Sequence, residues 1–420
     1  MIQRRQVLTG MAGVAAAGAL RPGSAQAAEP TGPGRRTRTG VERLIATDYQ
    51  ALRGQRFGVI TNPTGVLPDL RHEVDIMAGA TEIRAVFGPE HGFRGTAQAG
   101  SSEAFFTDEQ TGLPVYDTFE KTPDELAEIF AEADVDTIVF DIQDVGSRFY
   151  TYIWTLTDSM QGAAKAGKRV VVLDRPNPIT GVRASGPVLH PGYESTIGRA
   201  PIAQQHGMTV GELAVLFNQT FVPEPVELTV IPMTGWRRDL EWEQTGLPWV
   251  PPSPNMPSTD TAFIYPGACL FSGTNLSQGR GTTRPFEFLG APFMDHRWAE
   301  ALTALHLPGL LFREAYFVPT FSTYVNEQCC GVQIVVTDRR RLDAVGLGVA
   351  LLSTARRLYP GTQWLDVGED GKHDFWLDHL TGTDWVRTAI DAGRDVTEIE
   401  RGWSEDLRKW ERVRRRFLRY

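Results

Sequence analysis

Four short polar clusters in this sequence bring together carboxylates, amides and guanidinium groups. They are Thr61-Asn62-Pro63-Thr64-Gly65, Gly88-Pro89-Glu90-His91-Gly92-Phe93-Arg94-Gly95, Asp141-Ile142-Gln143-Asp144-Val145-Gly146-Ser147-Arg148 and Asp174-Arg175-Pro176-Asn177-Pro178. Turn chemistry accounts for their Gly, Pro and Asn. It does not account for their Glu, Asp and Arg. Glu90 is the foremost candidate, set between Pro89 and His91-Gly92. A carboxylic acid held in a partly apolar pocket has a raised pKa and can protonate a leaving oxygen. Glycoside cleavage needs that proton, plus stabilisation of an oxocarbenium-like transition state. Asp141 or Asp144 could supply the opposing negative charge, and His91 could orient Glu90 or move a proton itself. The competing reading is structural: Glu90 as a cap or salt-bridge partner, and each Asp as a cap of the next helix. Phe149, Tyr150, Tyr152 and Trp154 follow the third cluster. Aromatic faces of this kind cover the C–H surfaces of sugars, while amides and acids bond sugar hydroxyls.

Other chemistries lack their signatures. No GxGxxG follows the first apolar run, and no GxxxxGK[ST] occurs, so neither a dinucleotide fingerprint nor a P-loop is present. A GxSxG nucleophile elbow is missing, and His72-Glu73 lacks the second His of HExxH. Among eight His no pair has helical metal-ligand spacing. The reading therefore requires no metal and no organic cofactor.

These clusters need a scaffold that gathers them. Each follows a short apolar run rich in Val, Ile or Phe: Arg56–Ile60, Ile83–Phe87, Thr137–Phe140 and Val170–Leu173, with a fifth run at Leu228–Ile231. Helices are predicted between them. Pro123-Asp124-Glu125 opens one with proline and acids in its first turn. Tyr152 to Ala166 is another, closed by Gly167, and Thr209 to Asn218 a third, with Thr209 and Glu212 spaced as a capping box. Unalternated apolar strands between helices predict an α/β fold with a buried parallel sheet. Ligands bind outside the carboxyl ends of such strands, which is where all four clusters fall. This domain is placed at 41–245. A Pro- and Gly-rich tract from Gly246 to Pro292 is too long for a plain linker. It opens a smaller α/β domain, 246–420, with a strand at Gly331–Thr337 and helices at Leu342–Leu358 and Trp403–Arg416. Thr96 to Thr122 shows no clear element and reads as a long loop or lid.

The composition is that of a globular chain: 420 residues, 41% hydrophobic and 22% charged. A net charge of −9 without a Lys/Arg run argues against nucleic acid. Cys269, Cys329 and Cys330 are too few for a disulfide framework and read as small buried residues. Residues 1–27 have the form of a secretory signal: Arg4-Arg5, an apolar stretch from Val7 to Leu20, then Ala25-Gln26-Ala27. The paired arginines point to twin-arginine export, to the periplasm or outside the cell. Residues 28–40 are expected to be a flexible leader, and no later run is long enough to span a membrane.

Longer motifs then become visible at the same residues. GVITNPTGV (58–66), FGPEHGFRG (87–95), FDIQDVGSRFYTY (140–152), LDRPNP (173–178), QHGMTVGELA (205–214), WVPPSPNMP (249–257), TNLSQGRGTTRPFE (274–287), CGVQIVVTD (330–338) and LTGTDWVR (380–387) resemble the NamZ-type exo-β-N-acetylmuramidases, formerly a family of unknown function. The resemblance covers about 41–420. It implies a Rossmann-like N-terminal domain, a smaller C-terminal domain and a cleft between them. It also implies removal of terminal N-acetylmuramic acid from the non-reducing end of peptidoglycan fragments, with Glu90 at the family's catalytic position. Muramic acid carries a lactyl carboxylate, which calls for a planar bidentate donor. Arg94, Arg148, Arg280 and Arg284 lie in the matched motifs, and Arg280 with Arg284 is expected to clamp that group. Asn62, Tyr152, Asn255, Asn275 and Glu287 are the other expected substrate contacts. In two places the chain departs from many relatives, with Ser272 and Gln278 where they carry Glu. Some also carry an acid near Ser101, where the nearest here is Glu103. A second catalytic carboxylate is therefore not identified. The alternatives are a non-catalytic wall-sugar binding protein, an exo-glycosidase of shifted specificity, or an esterase or amidase.

Overall fold

Successive side chains of a strand face opposite sides of its sheet, so an unbroken apolar run must be covered twice. The computed structural model, which describes residues 36–420, has that arrangement. Its N-terminal part holds β1 (Phe57–Thr61), β2 (Ile83–Gly88), β3 (Phe106–Thr107), β4 (Pro114–Asp117), β5 (Thr137–Asp141), β6 (Arg169–Leu173), β7 (Ser185–Val188), β8 (Ala203–Gln205) and β9 (Leu228–Ile231). Seven of these form one sheet in the order β3-β4-β2-β1-β5-β6-β9, parallel except between β3 and β4. β7 and β8 pair separately. In the smaller C-terminal part β10 (Phe288–Ala291), β12 (Cys329–Val336) and β11 (Leu310–Phe317) form an antiparallel sheet with β12 central. The class is α/β.

Ile60, Phe87, Phe140 and Val172 enter one core with the helices Pro123–Glu132, Tyr152–Lys165 and Val210–Thr220. Val59, Val86, Val139 and Val171 enter the other, beneath the helices Gly40–Ala46 and Glu73–Ala78. The first core continues into the C-terminal elements through Phe271, Trp298, Leu347 and Trp410. Truncating a side chain such as the fully buried Trp298 would cost about 3–5 kcal/mol. Thr122 with Glu125 and Thr209 with Glu212 form the capping boxes that begin two of these helices. All three cysteines are free and buried.

Three segments differ from the sequence expectation. The Gly246–Pro292 tract contains the helix Thr259–Ala268 and a 3-10 turn at Cys269–Gly273. Ser258 caps that helix, and Pro266 lies late enough in it for the earlier turns to form. The 96–122 stretch contributes β3 and β4, strands too short to show a period. Residues 36–40, assigned to the leader, are held in place. Arg38 and Thr234 exchange backbone hydrogen bonds, and the Gly40 amide donates to the Asp174 carbonyl at 2.8 Å. The signal segment, 1–27, lies outside the described residues. Among the described residues no helix is long and apolar enough to cross a membrane.

Asp174, just after β6, ties the fold's end to its middle. Its Oδ1 accepts from the backbone of Gly211 at 2.8 Å, and its Oδ2 accepts from Thr209 Oγ1 at 2.9 Å and the Tyr420 hydroxyl at 2.6 Å. Burial outweighs these donors and pushes the carboxyl up to about 6. The folded value lies above the unfolded one, so this group stabilises the fold below pH about 4. That contribution, about 3 kcal/mol, is lost as pH rises through 6. Removing a donor penalises the ionised form more than the neutral one. Tyr420→Phe should therefore lower the unfolding free energy from urea titration more at pH 7.5 than at pH 4.5, by about 1–2 kcal/mol. Equal losses at both pH values would contradict this role.

Candidate active site

The strand order reverses between β1 and β5, the place where an open α/β sheet usually leaves a crevice for ligand. Here it is filled. Thr61 pairs in register with Asp141 at the two strand ends. Asp141, wholly buried, forms a two-pronged ion pair with Arg175. Glu73 sits against Asp141, its carboxyl pushed well above the usual range by burial and then by the charge of Asp141, so it holds its proton. Gly65 permits this packing: a Cβ there would meet Thr61 Oγ1 at 2.2 Å and Glu73 Oε1 at 2.7 Å.

The open cavity lies one strand over, beyond β2, and measures about 230 Å³. Glu90 and His91 form one side, on a tight turn with φ of 73° at His91 and 80° at Gly92. A Cβ on Gly92 would strike the Glu103 carboxylate at 2.2 Å. Glu103 is committed to this turn, accepting from the Phe93 amide at 3.0 Å and from Thr96 Oγ1. Glu90 Oε1 accepts from the Gly100 amide at 2.8 Å, and Oε2 from Thr151 Oγ1 at 2.9 Å. Thr151 is the N-cap of the helix Tyr152–Lys165, so the positive end of that helix faces the cavity. The Glu90 side chain keeps 18% of its surface accessible. His91 Nδ1 donates to the Ala97 carbonyl at 3.2 Å, and its Nε2 faces Glu90 Oε1 at 4.0 Å. That gap is beyond direct hydrogen bonding.

Ser253, Asn255 and Met256 of the Pro-rich tract form the opposite wall, with Ser272, Arg280 and Trp376 beyond. The tract is fixed by hydrogen bonds from Tyr152 OH (2.6 Å) and Asn62 Nδ2 (3.2 Å) to the Pro252 carbonyl. A chain of edge-to-face aromatic contacts then crosses the cavity floor: Tyr152–Tyr150 at 5.2 Å, Tyr150–Tyr265 at 5.6 Å and Tyr265–Phe286 at 4.9 Å. Each is worth about 0.5–1.5 kcal/mol beyond burial. Arg280 lies over Phe286 at 5.1 Å, and among the described residues no carboxylate pairs with it. Burial pushes all three phenols up, and the nearby Glu90 charge does the same for Tyr150 and Tyr152, so they act as neutral donors. Burial likewise raises the Cys269 thiol, which leaves it a poor nucleophile.

Of the sequence-predicted residues, Glu90, His91, Phe149, Tyr150, Tyr152, Asn255 and Arg280 line this cavity. The others do not. Asp141 is sealed against Arg175. Asp144 accepts from His206 Nε2 at 3.2 Å and from the Gly146 amide, wholly inside the protein. Asn62 closes a turn onto Thr64. Arg94 pairs with Asp108 and Asp75, both at 2.9 Å. Arg148 is fully buried, donates to the carbonyls of Pro187, Ile202 and Leu380, and is brought down to about 9 by that burial. Asn275 bonds Gly361 and Gln363 in a turn. Arg284 pairs with Glu287 at 3.0 Å, so the expected two-arginine clamp reduces to Arg280. In each case a neighbouring charge or backbone group claims the side chain, which spacing does not reveal. Ser253, Tyr265, Phe286 and Trp376 were missed. Ser253 and Phe286 lie within motifs already singled out, whereas Tyr265 and Trp376 carry no local signal.

Asp141→Asn tests the structural assignment. It leaves Arg175 as a buried, unpaired charge and should cost about 3–5 kcal/mol in urea unfolding. Unchanged stability would show that Asp141 is free for another task.

Comparison with known proteins gives a consistent picture. Residues 57–260 match the family described as exo-beta-N-acetylmuramidase NamZ, N-terminal, and residues 263–420 match its C-terminal counterpart. The chain is 44% identical over 389 residues to the peptidoglycan beta-N-acetylmuramidase NamZ of Bacillus subtilis strain 168, covering 92% of each. Two crystal structures of DUF1343 family proteins from Bacteroides fragilis NCTC 9343 share the fold. Their TM-scores are 0.81 and 0.71, their identities 33% and 29%, and each match covers 92% of this chain and 99% of the other. With both family domains matched in order along nearly its whole described length, the chain belongs to the NamZ family of exo-β-N-acetylmuramidases, which are glycoside hydrolases.

Proposed function

We propose that this protein is an exported exo-acting glycosidase that releases N-acetylmuramic acid from the non-reducing end of peptidoglycan fragments, with Glu90 as general acid. The observation that carries the reading is the pairing, around one small cavity, of a positioned carboxyl group with an uncommitted guanidinium. Glu90 is fixed through both oxygens yet accessible, as a proton donor to a leaving oxygen must be. Among the described residues no acid neutralises Arg280, so a carboxylate on the sugar can do so. The cavity is on the scale of one sugar ring, which suits removal of a terminal unit better than cleavage within a chain. Trp376 offers a face for the ring's C–H surface. The Bacillus relative's name supports the same substrate. Export is read from the Arg4-Arg5 leader and fits a wall-derived substrate.

The chemistry follows from this placement. Protonation of the glycosidic oxygen by Glu90 lets the aglycone leave as an alcohol, while Arg280 holds the lactyl group and so the ring. A charge-assisted contact of this kind distinguishes muramic acid from N-acetylglucosamine, which lacks the carboxylate.

Two substrates test it together: para-nitrophenyl β-N-acetylmuramic acid and its N-acetylglucosamine analogue. Glu90→Gln should lower kcat on the muramide by about 10²–10⁴-fold with little change in melting temperature. Arg280→Ala should lower kcat/KM on the muramide about 10–100-fold more than on the glucosaminide. Full activity in Glu90→Gln would remove it from the mechanism, and equal losses for Arg280→Ala would remove the carboxylate reader. Tight muramide binding without turnover by the unaltered protein would favour a sugar-binding protein instead.

A further inference from the structure

Glycosidases of the usual kind use two carboxylates, one as acid and one as nucleophile or base. Among the described residues lining the cavity, Glu90 is the sole carboxylate. The acids that come nearest in sequence or motif are engaged elsewhere. Glu103 holds the Phe93 turn, Asp117 accepts from Ser102 Oγ at 2.7 Å, and Glu287 accepts from Arg284 and from Thr261 Oγ1 at 2.8 Å. Asp141 and Asp144 are sealed beneath the sheet ends. No phenolate or thiolate is at hand either, since burial keeps Tyr150, Tyr265 and Cys269 protonated. The cavity offers neutral amide and hydroxyl groups instead. Asn255 is 93% buried, lines the cavity, and its Nδ2 has no hydrogen-bond partner among the described residues. The Tyr150 hydroxyl lies near Ser253 without a well-aligned bond. A buried unpaired amide carries a desolvation cost, which a ligand that satisfies it returns.

We propose that the nucleophile comes with the substrate: the 2-acetamido oxygen of the terminal sugar attacks its own C1, and Asn255 with Tyr150 holds that acetamido group in place. This rests on the reading that an N-acetylmuramyl glycoside is the substrate. In the first step the carbonyl oxygen forms a bond to C1 as the C1–O bond to the aglycone breaks. The bond's electron pair leaves on that oxygen, which takes the proton of Glu90. The sugar becomes a five-membered oxazolinium ion, and Glu90 a carboxylate. In the second step water adds to C1 from the face the aglycone left, and Glu90 takes its proton. The C1–O bond of the ring breaks, its electrons return to the acetamido group, and Glu90 is again an acid. Two displacements retain the β configuration. Asn255 accepts the acetamido N–H and donates from Nδ2, and Tyr150 donates to the carbonyl until attack. Neutral partners suit this task, because they orient the amide without competing for C1. A tethered nucleophile also has a high effective concentration, so no second carboxylate is needed.

The experiment is a series of para-nitrophenyl β-muramides whose N-acyl group is acetyl, fluoroacetyl, difluoroacetyl or trifluoroacetyl. Fluorine draws charge from the carbonyl oxygen and leaves the rest of the sugar intact. Participation predicts that kcat/KM falls about 100-fold or more along the series. Proton NMR of the first product should show the β anomer. The thiazoline of muramic acid, with sulfur closing the same ring, should inhibit the enzyme. It should bind Asn255→Ala about tenfold or more weakly, at unchanged melting temperature, since Asn255 Nδ2 holds nothing else in the fold. A flat series or an α product would overturn participation while leaving the glycosidase reading intact. Equal thiazoline affinity in Asn255→Ala would remove Asn255 from the role. A protein that turns over no member of the series would overturn both proposals.

Discussion

The Asp141–Arg175 ion pair is the constraint around which the strand ends of this fold are arranged. It fills the crevice where the strand order reverses, and protonated Glu73 closes the remaining gap. A pair buried this completely stabilises little by itself, but losing either partner leaves a stranded charge. The consequence is displacement of the site. With the usual crevice occupied, the open space moves to the end of β2, where the Glu90 turn meets the N-terminus of the helix Tyr152–Lys165. The Pro-rich tract can then close over it, because Asn62 and Tyr152 both anchor the Pro252 carbonyl.

The two halves of the chain are joined by packing around this site rather than by a tether. The aromatic contacts from Tyr152 to Phe286 carry order from the strand ends into the tract and set the position of Arg280. The same core runs on to Trp298 and Trp410, so neither half buries its apolar surface alone. Rigidity here serves the proposed reading, in which donor and reader face one sugar at a fixed separation. The turn at His91 and Gly92 bears left-handed backbone for the same reason, held by Glu103 from behind.

Much of this was legible beforehand because the signals are local. Five apolar runs gave the central strands within a residue or two, and the capping pairs Thr122–Glu125 and Thr209–Glu212 gave helix starts. Glu90, Tyr152, Asn255 and Arg280 reach the cavity from motifs of unusual composition. What the sequence hid was the allocation of partners. Asp141, Asp144, Arg94, Arg148 and Arg284 look as reactive in sequence as Glu90 does, yet each is claimed by a group between three and more than two hundred residues away. The helix Thr259–Ala268 was masked by the prolines around and within it, and β3 and β4 by their shortness. Tyr265 and Trp376 reach the site only through tertiary packing.

The most direct measurement is a crystal structure of Glu90→Gln with a muramic-acid-terminated disaccharide bound. The account places the amide at position 90 within hydrogen-bond distance of the glycosidic oxygen, and the lactyl carboxylate on Arg280. A sugar bound elsewhere on the protein, or with its scissile bond turned away from position 90, would contradict it.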